Sequence, residues 1–129
     1  MLHEPQINSG QRIIGYALSI LASSILFFSG MNKVMGAPWV VETLAVINLD
    51  PYVVIIGIIE ITAVILFWIP KTMNIGFFLL CSYAGGIIAT EMATGYGGTL
   101  GISVAIMIYL GTMLRKPSIS GLYTKNADK

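Results

Sequence analysis

Residues 51–70 read PYVVIIGIIEITAVILFWIP, an apolar run of 20 residues that contains one charged side chain, Glu60. An α-helix of this length covers about 30 Å, the thickness of the hydrocarbon core of a bilayer. Glu60 follows Pro51 by nine positions, which places it about 13 Å along such a helix, near the midplane. A carboxylate at that depth costs about 3 kcal/mol on insertion scales. The run therefore predicts a membrane-spanning helix whose acidic group must be neutral, paired or in contact with water.

The rest of the chain has the composition of an integral membrane protein. Of its 129 residues, 56% are hydrophobic and 10% are charged, whereas soluble domains carry about 25% charged residues. Three more apolar segments have membrane length: residues 13–28, extending to 31, residues 73–90 and residues 97–114. We expect an all-α integral membrane bundle of four transmembrane helices over residues 13–114, with tails at 1–12 and 115–129.

The basic residues are distributed unevenly across these segments. Four spans place both termini on one side, and that side receives six of the seven basic residues. By the positive-inside rule, we expect a multi-pass protein of the cell (inner) membrane with both termini in the cytoplasm. The six basic residues are Arg12, Lys71, Arg115, Lys116, Lys125 and Lys129, whereas the other side carries Lys33, Glu42, Asp50 and Glu91.

A short amphipathic segment separates the first two spans. In residues 38–49, Val40, Leu44 and Ile47 recur at helical spacing, and Glu42, Thr43 and Asn48 lie elsewhere on the helical wheel. The segment is too short to cross a bilayer. It predicts a short helix at the outer interface, with Trp39 at the level of the lipid head groups.

Four polar residues on different spans are predicted to converge. Helical side chains tilt toward the helix N-terminus, so Lys33, Glu60 and Glu91 all lean into the outer half of the bundle. Tyr83 is about 16 Å into the third span, level with Glu60, and its hydroxyl is a candidate donor to that carboxylate. Lys33, Glu60, Tyr83 and Glu91 are therefore candidates for a ligand or partner site. The alternative is a structural lock, in which a buried ion pair only fixes how the helices meet.

Several kinds of chemistry are excluded by residue counts and missing motifs. The chain has one histidine, His3, and one cysteine, Cys81, so one chain cannot supply bis-histidine haem or a dithiol pair. The glycine-rich residues 95–101 lack a preceding strand and the spacing of a dinucleotide fingerprint. No catalytic, metal-binding or nucleic-acid-binding motif is present. The sequence leaves open whether the protein belongs to an enzyme, at most as a subunit of an oxidoreductase complex.

The order and spacing of these motifs resemble a known family. FSGMNK (residues 28–33), GIIE (57–60), Pro70 and GGIIATE (85–91) are similar to the pattern of the DoxX-like family of small four-helix membrane proteins, over residues 13–114. Relatives carry a histidine where this chain has Glu91. The resemblance implies a membrane subunit linked to quinone-coupled sulfur oxidation or to a complex that handles oxidative and thiol stress.

Three functions fit these observations. The first is a non-catalytic membrane subunit or anchor of a redox-associated complex, with no cofactor of its own and a quinone or an oxidoreductase partner at the polar site. The second is a structural or assembly protein without a ligand. The third is a small proton-linked carrier that uses Glu60. Small residues spaced four apart suit helix packing within the chain or in a homo-oligomer.

Overall fold

The computed structural model describes residues 2, 3, 5–120, 123 and 124. In this part the chain forms five α-helices: α1 (Ser9–Val34), α2 (Pro38–Ala45), α3 (Val53–Trp68), α4 (Met73–Ala93) and α5 (Thr99–Arg115). Short 3-10 turns cover Asp50–Tyr52 and Pro117–Ser120. Two strands of two residues each, β1 (Leu2–His3) and β2 (Tyr123–Thr124), pair in parallel.

Three of the helices are long and apolar enough to cross a membrane. They are α1, α3 together with its preceding 3-10 turn, and α4, whereas α5 is a shorter apolar helix of 17 residues. Large apolar side chains such as Phe28, Ile75 and Phe78 point away from the bundle. A water-soluble protein seldom exposes so much apolar surface, so the predicted all-helical fold is confirmed, and its surface is suited to a membrane.

The four longer helices form a ring in the order α1, α3, α4, α5, and each packs against the next. At one end of the ring α1 and α4 begin and α3 and α5 end; we call it the basic end because it carries Lys71, Arg115 and Lys116. The opposite end, which holds the main cavity, is called the cavity end. The core between the helices is apolar and includes Leu26, Phe67, Leu80 and Ile108.

Glycines mark the places where neighbouring helices approach most closely. A methyl group added at any of these glycines would meet the neighbouring helix at less than van der Waals distance, so each contact needs a residue without a side chain. The helix pairs α1–α5 and α3–α4 touch in this way at the basic end, and α1–α3 and α4–α5 at the cavity end. The contacts are Gly15 and Gly111 with each other's helix, Gly76 with Phe67, Gly30 with Gly57, and Gly101 with Ile88.

The helix boundaries near the cavity end differ from the predicted ones. Pro51 lies within a 3-10 turn, so α3 starts at Val53 and not at Pro51. The helix α2 begins at Pro38 as predicted but ends at Ala45, because the amide of Leu49 turns back to donate to Leu44 and Asn48 has a positive φ of 58°. A residue with positive φ cannot continue a right-handed helix.

The predicted tails also contribute to the fold. The N-terminal helix begins at Ser9, four positions earlier than expected, because Asn8 and Gln11 form a reciprocal capping box. On the C-terminal side Pro117 and Ile119 are buried, so residues 117–120 of the predicted tail pack against the bundle. The remainder of that predicted tail, apart from 123 and 124, lies outside the described residues.

Candidate functional site

A buried ion pair joins α1 to α3 at the cavity end. The Nζ atom of Lys33 lies 2.7 Å from Oε2 of Glu60. The side chain of Glu60 has no exposed surface, and that of Lys33 is 13% exposed. A carboxylate stranded in hydrocarbon would cost several kcal/mol, so the ammonium group is what makes Glu60 tolerable at this position. The predicted contact between Lys33 and Glu60 is therefore confirmed.

Two hydroxyl groups complete this cluster. Tyr83 on α4 donates a 2.7 Å hydrogen bond to Oε2 of Glu60, and its ring lies 5.8 Å from Nζ of Lys33. Ser29, one turn before Lys33, accepts from Nζ and donates to the same carboxylate oxygen at 3.4 Å. Ser29 was not among the predicted site residues, although its position four residues before Lys33 places both side chains on one helix face. We call Lys33, Glu60, Tyr83 and Ser29 the polar cluster.

The contacts of the polar cluster all converge on one oxygen of Glu60. The second oxygen, Oε1, is buried and has no hydrogen-bond partner among the described residues. A fully ionised carboxylate can accept about four hydrogen bonds, so the acceptor capacity of Glu60 is only partly used. On Lys33, Ser29 and Glu60 occupy two of the three N–H donors.

A cavity of about 780 Å³ lies directly beside the polar cluster. Lys33, Ser29 and Tyr83 line it, whereas Glu60 is buried behind them and does not. The remaining walls are mostly apolar and come from all five helices, including Ile25, Leu26, Val40, Leu44, Ile56, Ile59, Leu79, Ile87, Leu100 and Val104. The size and lining are typical of sites for small organic ligands, which combine apolar walls with a few polar groups.

Glu91 lines the same cavity but is not joined to the polar cluster by a hydrogen bond. Its Oε2 accepts a 2.9 Å hydrogen bond from the amide of Gly101, in the first turn of α5. A carboxylate at this place satisfies an amide that lacks a partner within its own helix, and it interacts favourably with the positive end of the helix dipole. This contact was not foreseen, because it depends on the turn between α4 and α5, where Gly95, Gly97 and Gly98 adopt positive φ.

The arrangement offers specific chemistry to a molecule in the cavity. The third N–H of Lys33 can donate to a carbonyl or similar acceptor, and the hydroxyl of Tyr83 can accept a hydrogen bond while it donates to Glu60. Glu60 neutralises Lys33, and Glu91 adds a negative charge to the wall. The charges therefore favour a neutral ligand over an anionic one.

A second, half-buried cation at the basic end was not predicted to have a special role. The guanidinium of Arg115 lies 4.6 Å from the ring centres of Tyr16 and Trp68 and 5.1 Å from that of Phe67. The ring of Trp68 is held in turn by a 2.8 Å hydrogen bond from its Nε1 to Ser23. These rings belong to α1 and α3, so the enclosure of Arg115 could not be predicted before the packing of these helices against α5 was known.

No family model, curated protein or solved structure matches this chain.

Proposed function

We propose that this protein is a DoxX-like, non-catalytic membrane subunit of a redox-associated complex, and that its cavity binds the head group of a quinone. The observation that carries the proposal is the position of Lys33 and Tyr83 at the wall of a large, mostly apolar cavity. A quinone ring presents carbonyl oxygens to such donors and is neutral, as the charges of the site favour. Its tail is apolar and requires apolar walls.

The proposal includes a topology. All four longer helices cross the membrane, with α5 crossing at a length of about 25 Å, and α2 lies at the outer interface. Both termini then lie in the cytoplasm, since Lys71, Arg115 and Lys116 all belong to the basic end. The cavity consequently faces the outer leaflet of the cell membrane.

Extraction in a mild detergent followed by native mass spectrometry tests the proposal directly. We expect a quinone to remain bound to the purified protein and an oxidoreductase subunit to accompany it. Lys33→Met together with Glu60→Leu should remove the quinone, because the double change deletes the donor without stranding a charge. Lys71→Met is a matched control, because Lys71 is exposed at the opposite end and its loss should leave the quinone in place.

Two results would count against a quinone site. One is the recovery of the protein without any quinone from membranes rich in it. The other is equal retention of quinone by the double variant and by Lys71→Met, which would show that the polar cluster does not hold the ligand. Recovery of quinone without an oxidoreductase partner would support the site but contradict the assignment as a subunit.

A structural role is the second candidate, and the internal pairing of the cluster favours it. Lys33, Tyr83 and Ser29 all bond to Glu60 without any added molecule. In that case the double variant should fold as well as the parent and support full function in cells. The proton-linked carrier is the weakest candidate, because Glu60 has no exposed surface from which to exchange a proton.

A further inference from the structure

The helices α3 and α4 are in close contact at the basic end and separate toward the cavity end. Near the turn that joins them, a methyl group on Gly76 would overlap the backbone of Phe67. Ten residues further along α4, about 15 Å away, a methyl group on Gly86 would have nothing within 4 Å. Because Gly86 and Ile59 on α3 line the same cavity, the space between the two helices is wider here than at Gly76.

The cavity extends into this widening space. Its lining includes Ile59 on α3 and Leu79, Ser82 and Gly86 on α4, all of which are exposed. Ile59 is 50% exposed and Leu79 39%, whereas Leu26 and Val104, which line the same cavity from the core, are each 1% exposed. The cavity is therefore open sideways between α3 and α4.

This opening lies at the depth of lipid tails. Leu79 and Gly86 are about 5 and 15 Å along α4 from Gly76, and α4 is one of the helices long and apolar enough to span a membrane. Apart from Ser82, whose hydroxyl is bonded to the carbonyl of Phe78, the rim offers hydrocarbon or glycine. At this depth the surrounding medium is lipid, so an apolar chain can occupy the opening without losing contact with an apolar environment.

The other route into the cavity is roofed by α2. Val40 and Leu44 on this helix are buried and line the cavity, and Trp39 lines its edge. A long apolar tail would have to pass through water to enter past this roof. The sideways opening is therefore the route suited to a ligand with such a tail.

Resting on the quinone site proposed above, we propose that the gap between α3 and α4 is a lateral portal that admits the ligand from the bilayer and holds its isoprenoid tail. The head group then contacts Lys33 and Tyr83, and the tail leaves between Ile59 and Ser82 into the lipid. The ligand class is thus a neutral ring with a carbonyl acceptor and an apolar tail of at least several carbons.

A pair of serines allows a matched test. Ser82 on the portal and Ser103 on α5 are both exposed, and each donates its hydroxyl to the carbonyl four residues earlier. Ser82→Trp places a large ring in the portal, and Ser103→Trp places it on a surface that does not line the cavity. Binding of a tail-free methylated benzoquinone and of the same ring with a ten-carbon tail is measured for each variant in nanodiscs.

We expect Ser82→Trp to weaken binding of the tailed quinone about tenfold or more, because several buried methylene groups are displaced. Binding of the tail-free ring should change little, and Ser103→Trp should bind both probes as the parent does. A photoreactive group at the end of the tail should label α3 and α4 in the parent protein. This labelling needs no substitution and remains decisive if Ser82→Trp does not fold.

The outcomes separate the portal from the site on which it rests. If the parent binds both probes and Ser82→Trp leaves the tailed probe unaffected, or if the tail labels α1 and α5, the portal is wrong and the quinone site stands. If the parent binds neither probe, the quinone site fails and the portal fails with it.

Discussion

The two ends of the bundle each enclose a cation, and they stabilise it by different means. At the cavity end Lys33 is paired with the fully buried carboxylate of Glu60. At the basic end Arg115 lies among Tyr16, Phe67 and Trp68, and its Nε and Nη1 atoms have no hydrogen-bond partner among the described residues. One cation is satisfied by an opposite charge and the other by aromatic rings.

The difference follows from what each cation does for its neighbours. Arg115 is the last residue of α5. There the faces of the aromatic rings stabilise its half-buried guanidinium, and a long side chain can extend to the surface of the bundle. Lys33 compensates an acid that has no route to water. Removal of the Glu60 carboxylate therefore leaves a charge without its partner at the cavity end. Removal of the Arg115 guanidinium leaves no unpaired charge at the basic end.

The largest effect is expected from breaking the ion pair on one side only. Glu60→Leu should lower the free energy of unfolding by about 3–5 kcal/mol, because it leaves the ammonium of Lys33 buried without its partner. Lys33→Met with Glu60→Leu should recover most of that loss, since no charge remains. Denaturant titration in mixed micelles measures both values.

The corresponding control concerns the hydroxyl of Tyr83. Tyr83→Phe removes one hydrogen bond to Glu60 but keeps the ion pair, so we expect a loss of about 1–2 kcal/mol. If Glu60→Leu and the double variant Lys33→Met with Glu60→Leu were equally unstable, the ion pair would not be what holds α1 to α3.

The second effect separates the tightly packed part of α4 from its open part. Gly76→Ala should destabilise the protein by about 1–3 kcal/mol, because the added methyl group overlaps the rigid backbone of Phe67. Gly86→Ala is the matched control in the same helix, and it has open space around it. Thermal unfolding of the two variants in one detergent compares them, and equal destabilisation would show that α3 and α4 do not separate as described.

The third effect tests the aromatic enclosure of Arg115. Arg115→Gln should cost about 1–2 kcal/mol through the lost cation–π contacts, clearly less than Glu60→Leu, because no unpaired charge is left behind. Lys71→Gln, an exposed residue at the same end, should change stability by less than about 0.5 kcal/mol. Tryptophan fluorescence gives a second readout, since Trp68 contacts the guanidinium. A loss as large as that of Glu60→Leu would contradict the distinction between the two cations.

Much of the fold could be predicted because helices of membrane length correspond to long apolar segments of the sequence. The apolar segments marked the four long helices, and the spacing of Val40 and Leu44 marked α2. What the sequence could not supply was where helices end by backbone geometry, as at Asn48, whose positive φ follows α2. The burial of Ile119 was likewise missed, because an apolar residue between two serines carries no periodic signal.

In the candidate site, too, some contacts follow from the geometry of single helices and others from turns and helix packing. Lys33, Glu60 and Tyr83 could be brought together from helix rise and side-chain tilt alone, since both are properties of single helices. The contact of Glu91 with Gly101 depends on a glycine-rich turn, and the enclosure of Arg115 depends on which helix faces meet. Neither is a property of one helix. Three of the four predicted residues therefore meet as expected, whereas Glu91 lines the same cavity but accepts its hydrogen bond from Gly101.

The smallest predicted effect decides how Glu91 should be understood. Glu91→Ala should lose about 1 kcal/mol of stability, because the amide of Gly101 loses its acceptor and α5 loses a carboxylate at the positive end of its dipole. Glu91→Gln should lose less than half of that, since an amide oxygen can still accept. Glu42→Gln, at an exposed position on α2, provides the baseline.

Neither Glu91 variant should change the affinity for the tail-free quinone by more than about twofold, since Lys33 and Tyr83 remain in place. A large loss of affinity with unchanged stability would instead make Glu91 a ligand-binding residue, and the cavity end would then depend on two carboxylates, one that stabilises Lys33 and one that contacts the ligand.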